Sequence, residues 1–142
     1  MVLAGQGELK TGELKRQELG LDNVEFRMGE IEKMPVEDGM VNVIISNCLI
    51  NLSPEKKKVF SEGFQVMKPG GRMMIPDMVL EKKLPPEVKK DPLAWASCIA
   101  GAVMEREYLK RMEDAGFRDI EVLSRTPRKK VVSAQIRAVK KP

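Results

Sequence analysis

The chain has 142 residues, of which 32% are charged and 42% hydrophobic, and this composition and length predict a soluble protein with a single core. It has no histidine, which excludes Ser-His and Cys-His catalytic dyads and imidazole metal sites. No apolar run approaches the roughly 20 residues of a membrane helix and no secretory signal is visible, so the expected location is the cytoplasm.

The net charge of +4 raises the question of a nucleic-acid partner. The basic residues cluster at 128–130 and 140–141, in stretches without interleaved aromatic residues. No recognisable nucleic-acid-binding module accompanies them. We therefore expect solvated loop and tail charges, and no nucleic-acid partner.

Residues 1–22 are predicted to form an N-terminal helix segment. Good helix formers run from Glu13 to Leu19, and Gly20 follows at a natural C-cap position. After this segment, residues 23–31 alternate between apolar and charged side chains, which predicts a short strand with one face partly in water.

The central feature of the chain is the stretch from Val41 to Leu52. Its first half is a run of β-branched residues without polar alternation, which indicates a strand buried on both faces of a parallel sheet. Ser46, Asn47 and Cys48 follow at its carboxyl end, where open α/β sheets bind their ligands. An ordinary connecting loop is the alternative.

The next elements complete a core region that we place at residues 23–80. Ser53 and Pro54 have the pattern of a helix start, with Ser53 as N-cap, and apolar residues at helical spacing follow. The Pro-Gly-Gly sequence at 69–71 predicts the end of that helix, and Arg72 to Leu80 predict another strand.

Residues 81–104 are predicted to form a lid-like insertion with two short helices, the second capped by Asp91. Trp95 in this segment either packs or lines a substrate pocket. Residues 105–142 are predicted to form a helix that Gly116 closes, followed by a β pair at 120–125 and 132–139.

The most specific stretches of the chain surround its two cysteines, Ser-Asn-Cys-Leu-Ile-Asn-Leu-Ser-Pro at 46–54 and Trp-Ala-Ser-Cys-Ile-Ala-Gly-Ala at 95–102. Together they resemble arsenite methyltransferases, which are class I enzymes dependent on S-adenosylmethionine (SAM). The resemblance covers about residues 13–140. It implies an α/β fold, an incomplete Rossmann-like class I methyltransferase sheet with helices on both faces, as a single partial domain spanning residues 1–142.

The family places a Gly-rich SAM loop and an acid that binds the ribose before the position of Gly20. Residues 2–7 resemble that loop only in part, because the acid is missing. We therefore expect an N-terminally truncated domain without the first two strands, which in the family lie between the third and the fourth. Either residues 24–31 pair directly with 41–47, or a second copy covers the exposed edge in a homodimer.

By the same resemblance, Cys48 and Cys98 are the catalytic thiols that bind As(III). Trivalent arsenic is thiophilic, so two thiolates on different elements can hold it with its lone pair facing a methyl donor. Either cysteine taken alone is more typical of a small buried hydrophobic residue.

The resemblance also assigns a cofactor site. Glu30 and Ile31 match the segment that binds the adenine of SAM, whereas Ser46 and Asn47 shape the loop beside the reacting methyl group. A solvated acidic pair of Glu30 and Glu32 is the alternative for the first of these two positions.

The implied function is methyl transfer from SAM to thiol-bound As(III), with arsenite or its thiol conjugate as the small-molecule substrate. Because the SAM loop is missing, we expect this chain alone to be weak or inactive. The alternative is a non-catalytic methyltransferase remnant that acts as an oligomeric or thiophilic-metalloid-binding domain.

Overall fold

The computed structural model describes residues 1–142. The chain forms six strands and five α-helices, with one short 3-10 helix at Ile50–Leu52. In chain order they are β1 (Val2–Ala4), α1 (Gln6–Glu18), β2 (Phe26–Met28), β3 (Val41–Ile45), α2 (Lys56–Val66), β4 (Met67–Val79), α3 (Pro86–Lys90), α4 (Pro92–Ala96), α5 (Glu105–Asp114), β5 (Arg118–Pro127) and β6 (Val132–Val139). None of the helices is both long and apolar enough to cross a membrane.

The main sheet has four strands in the order β3-β4-β6-β5. Strand β3 is parallel to β4, and β6 is antiparallel to both β4 and β5. Strand β4 buries every second residue, including Met73, Ile75 and Val79, because successive side chains of a strand point to opposite faces. The sheet is the incomplete Rossmann-like α/β arrangement that the sequence predicts.

The core lies between this sheet and helices α2 and α5. The ring of Phe60 on α2 meets the ring of Tyr108 on α5 edge to face, with centroids 5.2 Å apart, and Phe64 meets Phe117 in the same way at 5.3 Å. Phe60, Tyr108 and Phe117 are fully buried. Helices α2 and α5 are thereby fixed against each other on the main sheet.

Helix α2 begins two residues later than the sequence predicts. The Ser53 hydroxyl accepts a hydrogen bond from the Glu55 amide at 3.1 Å and also contacts the Glu32 carboxylate. Ser53 therefore stabilises the turn before the helix instead of capping the helix itself.

The N-terminal segment contains one strand that the sequence analysis does not predict. Residues 2–4 form β1, which pairs in parallel with β2, and α1 connects the two strands. In the family order this is the place beside the third strand, so only one of the two strands expected to be missing lacks a counterpart. The prediction failed because a three-residue strand is too short to show a period.

Direct pairing of residues 24–31 with 41–47 is also wrong, because β3 has β4 as its only partner strand. The expectation that β3 is buried on both faces fails with it: Ile45 is 75% exposed and Val43 37% exposed. The β-branched run is suited to a covered strand, but no element of the chain covers its second edge.

Candidate functional site

Cys48 and Cys98 occupy unusual backbone conformations at the ends of two different elements. Their φ angles are +53° and +60°, in the left-handed region that residues other than glycine and asparagine rarely adopt. Cys48 is held there by its amide, which donates to the Pro76 carbonyl at 3.0 Å beyond the end of β3. The Cys98 amide donates to the Trp95 carbonyl, also at 3.0 Å, after the end of α4.

The structure brings the two cysteines together across fifty positions of sequence. The Cys98 thiol donates to the Cys48 carbonyl oxygen with a sulfur–oxygen distance of 2.7 Å. Both thiols are free, with Cys98 buried and Cys48 partly buried. The lid-like segment, residues 81–104, therefore contacts the loop at the carboxyl end of β3 through these two residues.

Both thiols are less acidic than an ordinary cysteine. Burial raises the pKa of Cys48, the Asp77 carboxylate raises it further, and the hydrogen bond with Cys98 partly offsets these effects. Burial together with the negative charges of Cys48 and Asp77 raises the pKa of Cys98 to about 11. The pair is consequently protonated near neutral pH.

A buried polar network that the sequence analysis did not identify lies close to the thiols. Asp77 is fully buried at the end of β4, and its carboxylate accepts from the Tyr108 hydroxyl at 2.9 Å, the Asn51 side-chain amide at 2.8 Å and the Met78 amide at 2.8 Å. Burial raises the pKa of Asp77 to about 6, against the opposing effect of these donors. The sequence signal that could have revealed this network is Asp77, the single charged residue in the otherwise apolar stretch 73–80.

Asn51 connects this network to both cysteine loops. It lies three residues after Cys48, and its backbone carbonyl accepts from the buried Lys56 ammonium at 3.3 Å. On the other side, a Cβ placed on Gly101 would lie 1.9 Å from the same carbonyl oxygen. Glycine is thus required at position 101 for the lid-like segment to pack against the backbone of Asn51.

Three of the four predicted cofactor residues line two cavities beside this site. Ser46 and Ile31 both line a cavity of about 840 Å³, and Glu30 and Ile31 line a smaller one of about 310 Å³. Asn47 lies in the exposed loop between Ser46 and Cys48 and lines neither. The lining of neither cavity includes a cysteine, so the thiol pair lies apart from the residues that line the two cavities.

The fold agrees with comparisons to known proteins. Residues 8–116 match the family described as "Methyltransferase domain", and the chain belongs to this family. Among its relatives are arsenite methyltransferases, including that of Halobacterium salinarum, which is 45% identical over 101 residues, covering 71% of this chain and 26% of that protein. The human arsenite methyltransferase is 35% identical over 99 residues, covering 67% of this chain and 26% of that protein.

Solved structures of methyltransferases and related proteins also superpose on this chain. The arsenic(III) SAM methyltransferase of Chlamydomonas reinhardtii superposes with a TM-score of 0.86 at 29% identity, covering 99% of this chain and 54% of that one. The YcgJ protein of a Bacillus species superposes with a TM-score of 0.81 at 14% identity, which supports the fold alone. The matched region spans 26% to 33% of the curated relatives described as arsenite methyltransferases, including that of Aquipseudomonas alcaligenes.

SAM is the methyl donor of this family, and the residues of the chain can be tested for their fit to it. The Ser46 hydroxyl is buried without a hydrogen-bond partner and belongs to a residue that lines the larger cavity, so it is free to contact a polar ligand. Glu30 and Ile31 supply a carboxylate and a backbone amide at the smaller cavity. These residues fit one side of a nucleoside ligand.

Proposed function

We propose that this chain supplies the substrate thiols of a methyltransferase acting on arsenite, with Cys48 and Cys98 as the As(III) ligands. The observation that carries the proposal is the contact between the Cys98 thiol and the Cys48 carbonyl, made by two cysteines that both have positive φ. Backbone strain of this kind is concentrated at functional sites, because a merely structural position would accept a residue that removes it.

The protonated state of the thiols is compatible with binding arsenite. Each As–OH group exchanges with one thiol: an As–S bond forms, the As–O bond breaks, and the thiol proton leaves with the hydroxide as water. Two exchanges leave arsenic with two cysteine ligands and one hydroxide or external thiol. The process needs no base, so the absence of histidine is no obstacle.

The buried network has a positioning role in this proposal. Asp77 and Asn51 fix the turn after Cys48, and Gly101 fixes the loop after Cys98 against that turn. A rigid thiol pair keeps the arsenic lone pair in one direction, which is what transfer to a positioned methyl group requires. SAM, when bound, supplies the electrophilic methyl group; Ser46, Asn47, Glu30 and Ile31 would hold it.

The test uses phenylarsine oxide, a trivalent arsenical that joins two nearby thiols with loss of one water. We expect native mass spectrometry to show one equivalent bound to the chain. Cys48→Ser and Cys98→Ser should each weaken binding by about 100-fold or more, because a chelated second contact is worth roughly that factor in effective concentration.

The matched control is the double variant Ser97→Cys/Cys98→Ser, which keeps two thiols but moves one by a single position. It should bind as weakly as the single serine variants. Binding of wild-type strength in either single variant or in this control would contradict the proposed ligand pair.

The second candidate function is a non-catalytic remnant that binds thiophilic metalloids or oligomerises. It is favoured by the open edge of β3, which is available for pairing with another chain. Titration with SAM separates the two. SAM binding near micromolar affinity supports the enzyme, whereas a chain that binds phenylarsine oxide but does not bind SAM supports the remnant.

A homodimer through the exposed edge of β3 stays a prediction from the sequence. Val43 and Ile45 supply exposed apolar surface there, and such an edge favours association with another chain. Light scattering coupled to size-exclusion chromatography measures the oligomeric state directly.

A further inference from the structure

Lys56, the first residue of α2, is the only buried lysine or arginine of the chain, with an exposed fraction of 5%. The start of a helix carries the positive end of the helix dipole, which disfavours a cation. Burial lowers the pKa of Lys56, and the positive charge of Arg111 lowers it further. The carboxylates of Asp77 and Glu107 partly oppose these effects. A charge in so unfavourable a place calls for an explanation from its contacts.

The Lys56 ammonium is not held by an ion pair. It takes part in none of the salt bridges of the chain, and its hydrogen bonds go to the backbone carbonyls of Asn51 at 3.3 Å and Ser53 at 3.0 Å. Neutral carbonyls compensate a buried charge only in part. Stabilisation by charge pairing therefore does not account for this lysine.

The two carbonyls belong to the turn that follows Cys48, and the sequence of this turn explains why it needs a lysine. In the 3-10 helix the Ser53 amide donates to the Ile50 carbonyl at 3.1 Å. The next bond of this series would run from residue 54 to the Asn51 carbonyl, but residue 54 is proline and has no N–H. The Lys56 ammonium supplies the missing donor.

The carbonyl that Lys56 holds is also the one on which the two cysteine loops meet. Asn51 lies three residues after Cys48, and Gly101 lies three residues after Cys98. A Cβ on Gly101 would overlap the Asn51 carbonyl oxygen, so the lid-like segment packs directly against this group. The direction of one carbonyl therefore bears on how closely the two thiols approach.

We propose that Lys56 is a positioning residue for the thiol pair, which it acts on through the backbone of Asn51 and Ser53. This inference deepens the proposed function and takes from it the thiol pair as the site of As(III) binding. Without the ammonium, the buried Asn51 carbonyl has lost its donor, and the turn must rotate to reach another one. That rotation moves the surface against which Gly101 packs.

The positioning role differs from a merely stabilising one in a measurable way. A stabilising residue changes the unfolding free energy and leaves the spacing of the thiols in the folded chain as it was. A positioning residue changes how readily one small reagent joins both thiols, while each thiol alone stays equally accessible. Dibromobimane joins two thiols, with two C–S bonds formed and two bromides released along with the thiol protons. Monobromobimane labels a single thiol by the same reaction.

The test compares Lys56→Met, which keeps the apolar stem and removes the donors, with Lys57→Met, the same change at the exposed neighbouring position. Cross-linking by dibromobimane should slow by about tenfold or more in Lys56→Met, the factor that corresponds to a lost hydrogen bond from a charged donor. Labelling by monobromobimane should be unchanged. Lys57→Met should match the wild type with both reagents.

Equal cross-linking in Lys56→Met and the wild type would overturn the inference, and so would a wild-type chain that dibromobimane does not cross-link. Should Lys56→Met not fold, NMR of the lysine NH3⁺ groups of the wild type decides. The Lys56 protons should exchange slowly and their signal should shift on cross-linking; exchange as fast as at Lys57 would overturn the inference. Phenylarsine oxide binding is measured on the same samples, and a chain that cross-links as expected but binds no arsenical contradicts the proposed function alone.

Discussion

At the scale of single residues, Asp77 is the most constrained ionisable group of the chain. Its carboxyl is fully buried and surrounded by donors, yet burial outweighs them and raises its pKa from 3.8 to about 6. The folded chain therefore binds a proton at Asp77 more tightly than the unfolded chain does. The contribution of this group to stability is full below pH 3.8 and is lost as the pH rises through 6.

Asp77→Asn should remove this pH dependence. A shift of roughly two pKa units corresponds to about 3 kcal/mol, and the unfolding free energy of the wild type should fall by most of that amount between pH 4 and 7.5 relative to the variant. Urea denaturation at both pH values measures it. Asp22→Asn, an exposed acid after α1, is the control, and parallel pH profiles of wild type and Asp77→Asn would contradict the prediction.

At the scale of elements, the lid segment and the turn after β3 behave as one unit. The Asn51 carbonyl lies where any Cβ on Gly101 would be, and the Asn51 side chain donates to Asp77 and to the Met78 carbonyl. The thiol pair is therefore set by the packing of this turn as well as by the lengths of the flanking helices.

Gly101→Ala should separate the two loops. With 1.9 Å between the new methyl carbon and a backbone oxygen, the backbone must move, at a cost of about 2 kcal/mol or more in unfolding free energy. Phenylarsine oxide binding should weaken in parallel.

The matched control is Gly7→Ala in α1, where an added Cβ meets nothing within 4 Å. This substitution should raise the unfolding free energy by up to about 1 kcal/mol. Denaturation and mass spectrometry on the same samples test both changes. Unchanged arsenical affinity in Gly101→Ala would show that the loops do not depend on this contact.

Element prediction from the sequence succeeded where signals were local. The Asp91 carboxylate accepts from the Leu93 amide at the start of α4, and Gly116 adopts φ +110° after α5, as cap and stop signals predict. It failed for β1, which is too short to show a period, and for the burial of β3, which depends on a neighbour outside the local sequence. The thiol contact was anticipated only through the family resemblance, and the Asp77 network was not anticipated.

At the scale of the whole molecule, the chain has two parts that bury apolar side chains to very different extents. Among residues 1–28 only Ala4 is buried, and α1 buries no residue at all. The main core draws its buried residues from the 3-10 helix onward. The β1–α1–β2 unit is therefore held by few apolar contacts.

Hydrogen exchange should resolve these two parts. Amides of α1 are expected to exchange through local opening, far faster than those of α5, which buries Tyr108 and Met112 and has a similar length. Exchange monitored by mass spectrometry compares both helices within one sample. Equal protection of α1 and α5 would show that the two parts unfold together.

The positive φ angles of Cys48 and Cys98 also bear on how this sequence is maintained. At either position glycine would relieve the backbone, so substitution by glycine would favour the folded backbone conformation as it removed the thiol. Backbone stability and the proposed binding of As(III) are therefore opposed at these two positions. A library selected only for folding should replace both cysteines, whereas one selected on arsenic should keep them.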